Sequence, residues 1–86
     1  MTFEILYDKQ PLKFLKKLEQ SIARRILDKI ENILPTTPIP HEAKSIISMH
    51  GVFRLRIDDF RALYRVNYEK NTIVIFKLDL RKRVYE

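Results

Sequence analysis

The stretch VFRLRIDDFRALYRVNY at residues 52–68, followed by TIVIFKLDL at 72–80, decides the fold. Apolar and polar side chains alternate through it, and a strand sends successive side chains to opposite faces. Residues 52–57, 60–68 and 72–80 therefore read as three strands. Asp58-Asp59 and Glu69-Lys70-Asn71 separate them with turn-forming residues at hairpin length. Three strands so joined make an antiparallel meander.

The alternation assigns faces. Phe53, Leu55 and Ile57 share one side of the first strand, Phe60, Ala62, Tyr64, Val66 and Tyr68 one side of the second, and Val74, Phe76, Leu78 and Leu80 one side of the third. These apolar faces need a cover. The opposite side collects Arg54, Arg56, Arg61, Arg65, Lys77 and Arg81, with Asp79 its one acid. A polar outer face is ordinary for a sheet covered on one side. A face bearing nearly one sign of charge is not, because directly opposed like charges destabilise a sheet. An anion, typically phosphate, would neutralise it.

The cover comes from the first half. Residues 2–7, TFEILY, alternate as a strand. Asp8 or Gln10 then caps a helix with Pro11 in its first turn, where a missing N–H costs least. Leu12, Leu15 and Leu18 line that helix, and Lys13, Lys16 and Lys17 face water. A second helix begins near Ser21, and Ile22, Ile26, Ile30 and Ile33 form its buried stripe. PTTPIP at 35–40 ends the helical half, because proline stops a helix and restricts the residue before it. Residues 44–49 read either as a short strand or as an irregular edge, and His50-Gly51 marks a turn. The expectation is an α+β domain spanning residues 1–86: a strand, a helical hairpin, then a three-strand meander, with both helices on one face of a small, mostly antiparallel sheet.

Composition narrows the chemistry. With 86 residues there is room for one domain. No cysteine is present, which excludes disulfides, thiolate metal sites and a cysteine nucleophile. Two histidines, His41 and His50, argue against a zinc enzyme. No apolar run reaches the roughly 20 residues that span a bilayer, and no basic leader opens the chain, so a soluble cytoplasmic domain is expected, with no membrane partner. The net charge of +6 is uneven: +2 over residues 1–50, mostly lysine, and +4 over 51–86, mostly arginine. Clustered arginine fits a nucleic-acid binder or a module with an acidic protein partner.

The tail RKRVYE extends the cationic face. Arg81, Arg83 and Tyr85 share a parity, so a continued strand brings both arginines and an aromatic ring to that side. Nucleic-acid sites pair cations with aromatics that stack on bases.

FRLRIDDFRALYRV at 53–66 and KLDLRKRVYE at 77–86, with the strand and helical hairpin before them, resemble the RelE/ParE superfamily of toxin–antitoxin toxins, most of all the RelE branch and its archaeal members. The resemblance implies a RelE-like, microbial-RNase-like fold. It implies a toxin that cleaves messenger RNA in the ribosomal A site on the 30S subunit and so inhibits translation. It further implies a cognate acidic antitoxin, through which the toxin–antitoxin complex would bind operator DNA. By motif, Arg54 and Arg56 fall on the paired basic strand positions, Arg61 on the arginine of the next strand, Arg81 on the arginine closing the last strand, and Tyr85 on the tail tyrosine. Lysine is usual at the paired positions in the best-known bacterial member, and arginine replaces both here.

Cleavage without metal or cofactor would use the RNA 2′-OH as internal nucleophile. Arg61 and Arg81 would stabilise the charge building on the phosphate. Arg54, Arg56, Arg65 and Arg83 would hold the backbone. Arginine stays protonated, so it cannot be the base. His41 and His50 fall in loops away from the cationic face, which leaves Tyr85 as base or as stacking surface. A gyrase poison of the ParE type and a non-toxic basic interaction module are the competing readings.

Overall fold

Seven elements follow one another in residues 2–80, the part of the chain that the computed structural model describes. They are β1 Glu4–Tyr7, α1 Lys9–Lys17, α2 Gln20–Ile33, β2 Lys44–Ser45, β3 Val52–Ile57, β4 Phe60–Asn67 and β5 Thr72–Leu80. The strands form one mixed sheet in the order β1-β5-β4-β3-β2. β1 runs parallel to β5, and the other pairings are antiparallel. The α+β architecture with two helices packed on the sheet is the expected one. The ambiguous segment 44–49 resolves into a two-residue edge strand followed by turns.

The core lies between helices and sheet. Ile26 and Ile30 of α2, Leu15 of α1 and Leu34 pack against Leu55, Ile57, Ala62, Tyr64, Ile73, Ile75 and Leu78. Burying each large aliphatic side chain contributes roughly 1.5–3 kcal/mol. Tyr64 is fully buried, yet its hydroxyl donates to the Pro38 carbonyl at 2.8 Å. That bond, with the Phe3 amide donating to the Pro35 carbonyl at 2.8 Å, fastens the proline connector to the sheet.

The third meander strand departs from simple alternation. Ala62 pairs with Leu78 and Leu63 with Lys77, but Tyr64 pairs with Ile75, so Phe76 is an extra residue in a β-bulge. The bulge reverses parity within β5. Ile73 and Ile75, expected on the open face, are buried in the core, whereas Val74 and Phe76, expected in the core, lie on the open face beside Arg65. Leu78, Leu80, Lys77 and Asp79 keep their expected sides because they follow the bulge.

Two smaller expectations also change. Asp8 occupies the N-cap of α1 but makes no side-chain cap bond. Gln10 lies inside the helix, and its amide group bridges β5: Nε2 donates to the Leu78 carbonyl at 2.7 Å, and Oε1 accepts from the Leu78 amide at 2.8 Å. Tyr68 stands outside β4, is 60% exposed, and meets Phe3 edge to face at 5.6 Å.

Candidate nucleic-acid interface

On the sheet face away from the helices, β2, β3 and β4 bring their cations together. Lys44 is the cross-strand partner of Arg54, and Arg56 is the partner of Arg61. These four residues, with Glu42, line one shallow cleft of about 150 Å³. Arg54 and Arg61 are half-buried, and Arg56 is exposed. On its other side Arg61 faces Asp79 of β5, which balances one of the four charges.

The hairpin that presents Arg56 and Arg61 is held from behind. Asp58 adopts a left-handed backbone, φ 54°, which aspartate tolerates better than most residues. Its carboxylate accepts an ion pair from Arg25 of α2 at 2.9 Å. Both partners are largely exposed, so the pair adds little energy, but it ties the turn to the helical layer. Phe14 of α1 meets Phe60 edge to face at 5.8 Å and anchors the start of β4.

The cleft thus unites three of the sequence-assigned residues, Arg54, Arg56 and Arg61. Arg65 shares their face but stands apart from the cleft, its guanidinium carbon 4.2 Å from the centroid of the Phe76 ring. Arg81, Arg83 and Tyr85 lie outside the described residues.

Glu42 and Lys44 complete the cleft, and sequence reasoning did not assign them to it. Glu42 sits in the loop before β2 and pairs with Lys29 of α2 at 3.2 Å. It supplies a carboxylate, a proton acceptor, within a group of cations. The only signal was its position two residues before Lys44, in a segment whose strand character was ambiguous. His41 and His50 are exposed loop residues, and neither lines the cleft. Tyr7 and Tyr64, the tyrosines most tied into the fold, are poor proton acceptors. Burial pushes both phenols well above their usual value, and for Tyr7 the hydrogen bond it donates to Glu31 at 2.7 Å adds to the effect.

The comparisons agree with this fold. Residues 5–85 match the family model described as the ParE toxin of type II toxin–antitoxin systems. A relative named "Putative toxin RelE1" from Methanocaldococcus jannaschii is 36% identical over 89 aligned positions, covering 100% of this chain and 98% of the relative. The RelE–RelB complex of Pyrococcus horikoshii OT3 contains a chain that is 31% identical, with a TM-score of 0.81 over 98% of this chain and 100% of that one. A free RelE mutant from E. coli shares the fold at a TM-score of 0.81 and 17% identity, over 99% of this chain and 90% of that one. The chain belongs to the RelE/ParE family of type II toxin–antitoxin toxins, and its resemblance is strongest to the RelE branch.

Proposed function

We propose that this toxin is a metal-independent endoribonuclease that cuts messenger RNA in the ribosomal A site and so arrests translation in the cytoplasm. The observation that carries the reading is the cleft of two like-charged cross-strand pairs, Lys44 with Arg54 and Arg56 with Arg61. Such pairing costs stability in the free protein, and a polyanion relieves it. In this scheme Arg54, Arg56 and Lys44 grip the RNA backbone. Arg61, joined by Arg81 from the tail, stabilises the charge that develops on the phosphate as the 2′-OH attacks. Glu42 and Tyr85 are the two candidates to accept the 2′-OH proton. A RelB-type antitoxin, such as the partner in the Pyrococcus horikoshii complex, would hold the toxin inactive by covering this basic surface.

Arg61→Ala tests the scheme in a translation reaction. Loss of one preorganised phosphate-directed donor should cost about 3 kcal/mol in the transition state. Primer extension on the bound message should then show the cuts fade by roughly two orders of magnitude. The match to the ParE family model keeps one competing reading in view, a gyrase poison without ribonuclease activity. Unchanged message with inhibited supercoiling would establish that reading instead.

A further inference from the structure

The open face is divided in two. Its β2–β3–β4 end holds the cationic pairs of the cleft. Around Arg65 the face is apolar, and Lys77 and Asp79 lie further along β5. Arg65 has Val52 as its cross-strand partner on one side and Val74 on the other. Phe76, turned outward by the bulge, lies beneath the guanidinium at 4.2 Å from ring centroid to guanidinium carbon. Val52, Leu63, Val74 and Phe76 all lie outside the cluster that packs under the helices. Arg65 is exposed, and the Phe76 ring lies within cation–π distance of its guanidinium.

This setting differs from that of the other arginines. A phosphate is best gripped by several converging cations, as in the cleft, and by the in-plane N–H edges of a guanidinium. A nucleobase is taken by a flat π surface, and Arg planes serve for this as aromatic rings do. Phe76 lies against the Arg65 guanidinium, Val74 flanks it with apolar surface beside the buried Val52, and no second cation is its direct cross-strand neighbour. Arg65 is four positions from Arg61 along β4, on the order of 13 Å.

We propose that Arg65, seated on Phe76, is a stacking platform for one RNA base, belonging to a nucleotide adjacent to the one whose phosphate enters the cleft. The inference rests on the RNA-cleaving reading above and deepens it: Arg65 selects for an unpaired, extruded base rather than for charge, and so favours single-stranded substrate.

The test compares the full chain with Arg65→Lys, which keeps the charge and loses the plane, and with Phe76→Leu, which keeps the bulk and loses the ring. Binding of a short single-stranded RNA is measured by fluorescence anisotropy across a salt series. A parallel set of RNAs carries an abasic ribose at each position in turn. The unaltered chain should lose affinity on the order of tenfold to a hundredfold at one abasic position. Arg65→Lys should bind intact RNA about as weakly as the unaltered chain binds that abasic RNA, with an unchanged salt slope. Phe76→Leu should weaken discrimination in the same direction. Equal affinity for every abasic RNA, or full discrimination retained in Arg65→Lys, would overturn the platform while leaving the RNA reading intact. No RNA binding by the unaltered chain would also overturn the platform, while the RNA-cleaving reading is decided separately by cuts on ribosome-bound message.

Discussion

Arg56 and Arg61 stand directly opposite one another across the β3–β4 ladder, next to the facing pair of Lys44 and Arg54. Direct cross-strand neighbours are close enough for charge to count, and opposed like charges destabilise a sheet by roughly 0.2–1 kcal/mol per pair. Nothing in the packing of the core requires either pair, since all four side chains lie on the side away from the helices. Asp79 opposite Arg61 and Glu42 in the cleft offset part of this cost, and what remains falls where the cleft is, as expected when a site is shaped for an anion at the expense of the free fold.

Arg56→Thr should therefore raise stability and lower function together. Thermal unfolding should shift upward, by an amount equivalent to about 0.2–1 kcal/mol, while translation arrest weakens. The gain should shrink in high salt, which screens the repulsion in the unaltered chain. Melting curves at two salt concentrations check this, and a lower melting temperature in Arg56→Thr would contradict it.

Glu42 is placed to test the proton-transfer step. If its carboxylate takes the 2′-OH proton, Glu42→Gln should lower single-turnover cleavage by about 10²–10⁴-fold. Lys29→Ala breaks the same 3.2 Å ion pair but leaves the carboxylate in place, so it should keep most of the rate. A rate unchanged in Glu42→Gln would assign the step elsewhere, with Tyr85 next in line.

Gln10 closes the edge of β5 beyond the end of β1 by mimicking a peptide group against Leu78. Gln10→Ala leaves a part-buried N–H and C=O without these partners, and the chain should lose about 1–3 kcal/mol in denaturant unfolding. Gln10→Glu keeps the acceptor for the Leu78 amide but puts a carboxylate oxygen against the Leu78 carbonyl in place of the donor, so it should destabilise as well.

Alkaline unfolding should depend on Tyr7 and Tyr64. Both phenols have folded-state pKa values raised above the ordinary value near 10, by burial first, with Glu31 adding to Tyr7. The folded chain then holds protons that the unfolded chain releases, so the contribution of these two groups is constant below pH ~10 and is lost as pH rises past it. Tyr7→Phe should flatten that fall relative to the unaltered chain, read as the pH dependence of the denaturation midpoint. An identical alkaline slope in the variant would contradict the assignment.

Much of this was legible in the sequence because two periods dominate it. The period-two runs of 52–57 and 60–67 gave the strands and put Arg54, Arg56, Arg61 and Arg65 on one face, and the isoleucine stripe of α2 gave the cover. What failed was parity in β5. An unbroken alternation cannot announce a bulge, and TIVIFKLDL is apolar at so many successive positions that either phase looks acceptable. Phe76 was therefore assigned to the core, and its pairing with Arg65 was hidden. Glu42 and Lys44 were missed for a different reason. Their segment has too little periodicity to fix a side, and only the pairing of β2 with β3 brings it to the cleft. The tail residues Arg81, Arg83 and Tyr85 lie outside the described residues: Arg81 and Tyr85 rest on strand parity and the family resemblance, and Arg83 on parity alone.

The central claim, 2′-OH attack at the cationic cleft on ribosome-bound message, is tested most directly by the chemistry of the cut ends. Programmed ribosomes carry either an all-ribose message or one with a single 2′-deoxy nucleotide at the A-site cut position, and the fragments are resolved after a single turnover. The account predicts a cut leaving a 2′,3′-cyclic phosphate and a 5′-hydroxyl on the all-ribose message, and none at the 2′-deoxy position. Cleavage that persists through the 2′-deoxy nucleotide, or an intact all-ribose message, would contradict it.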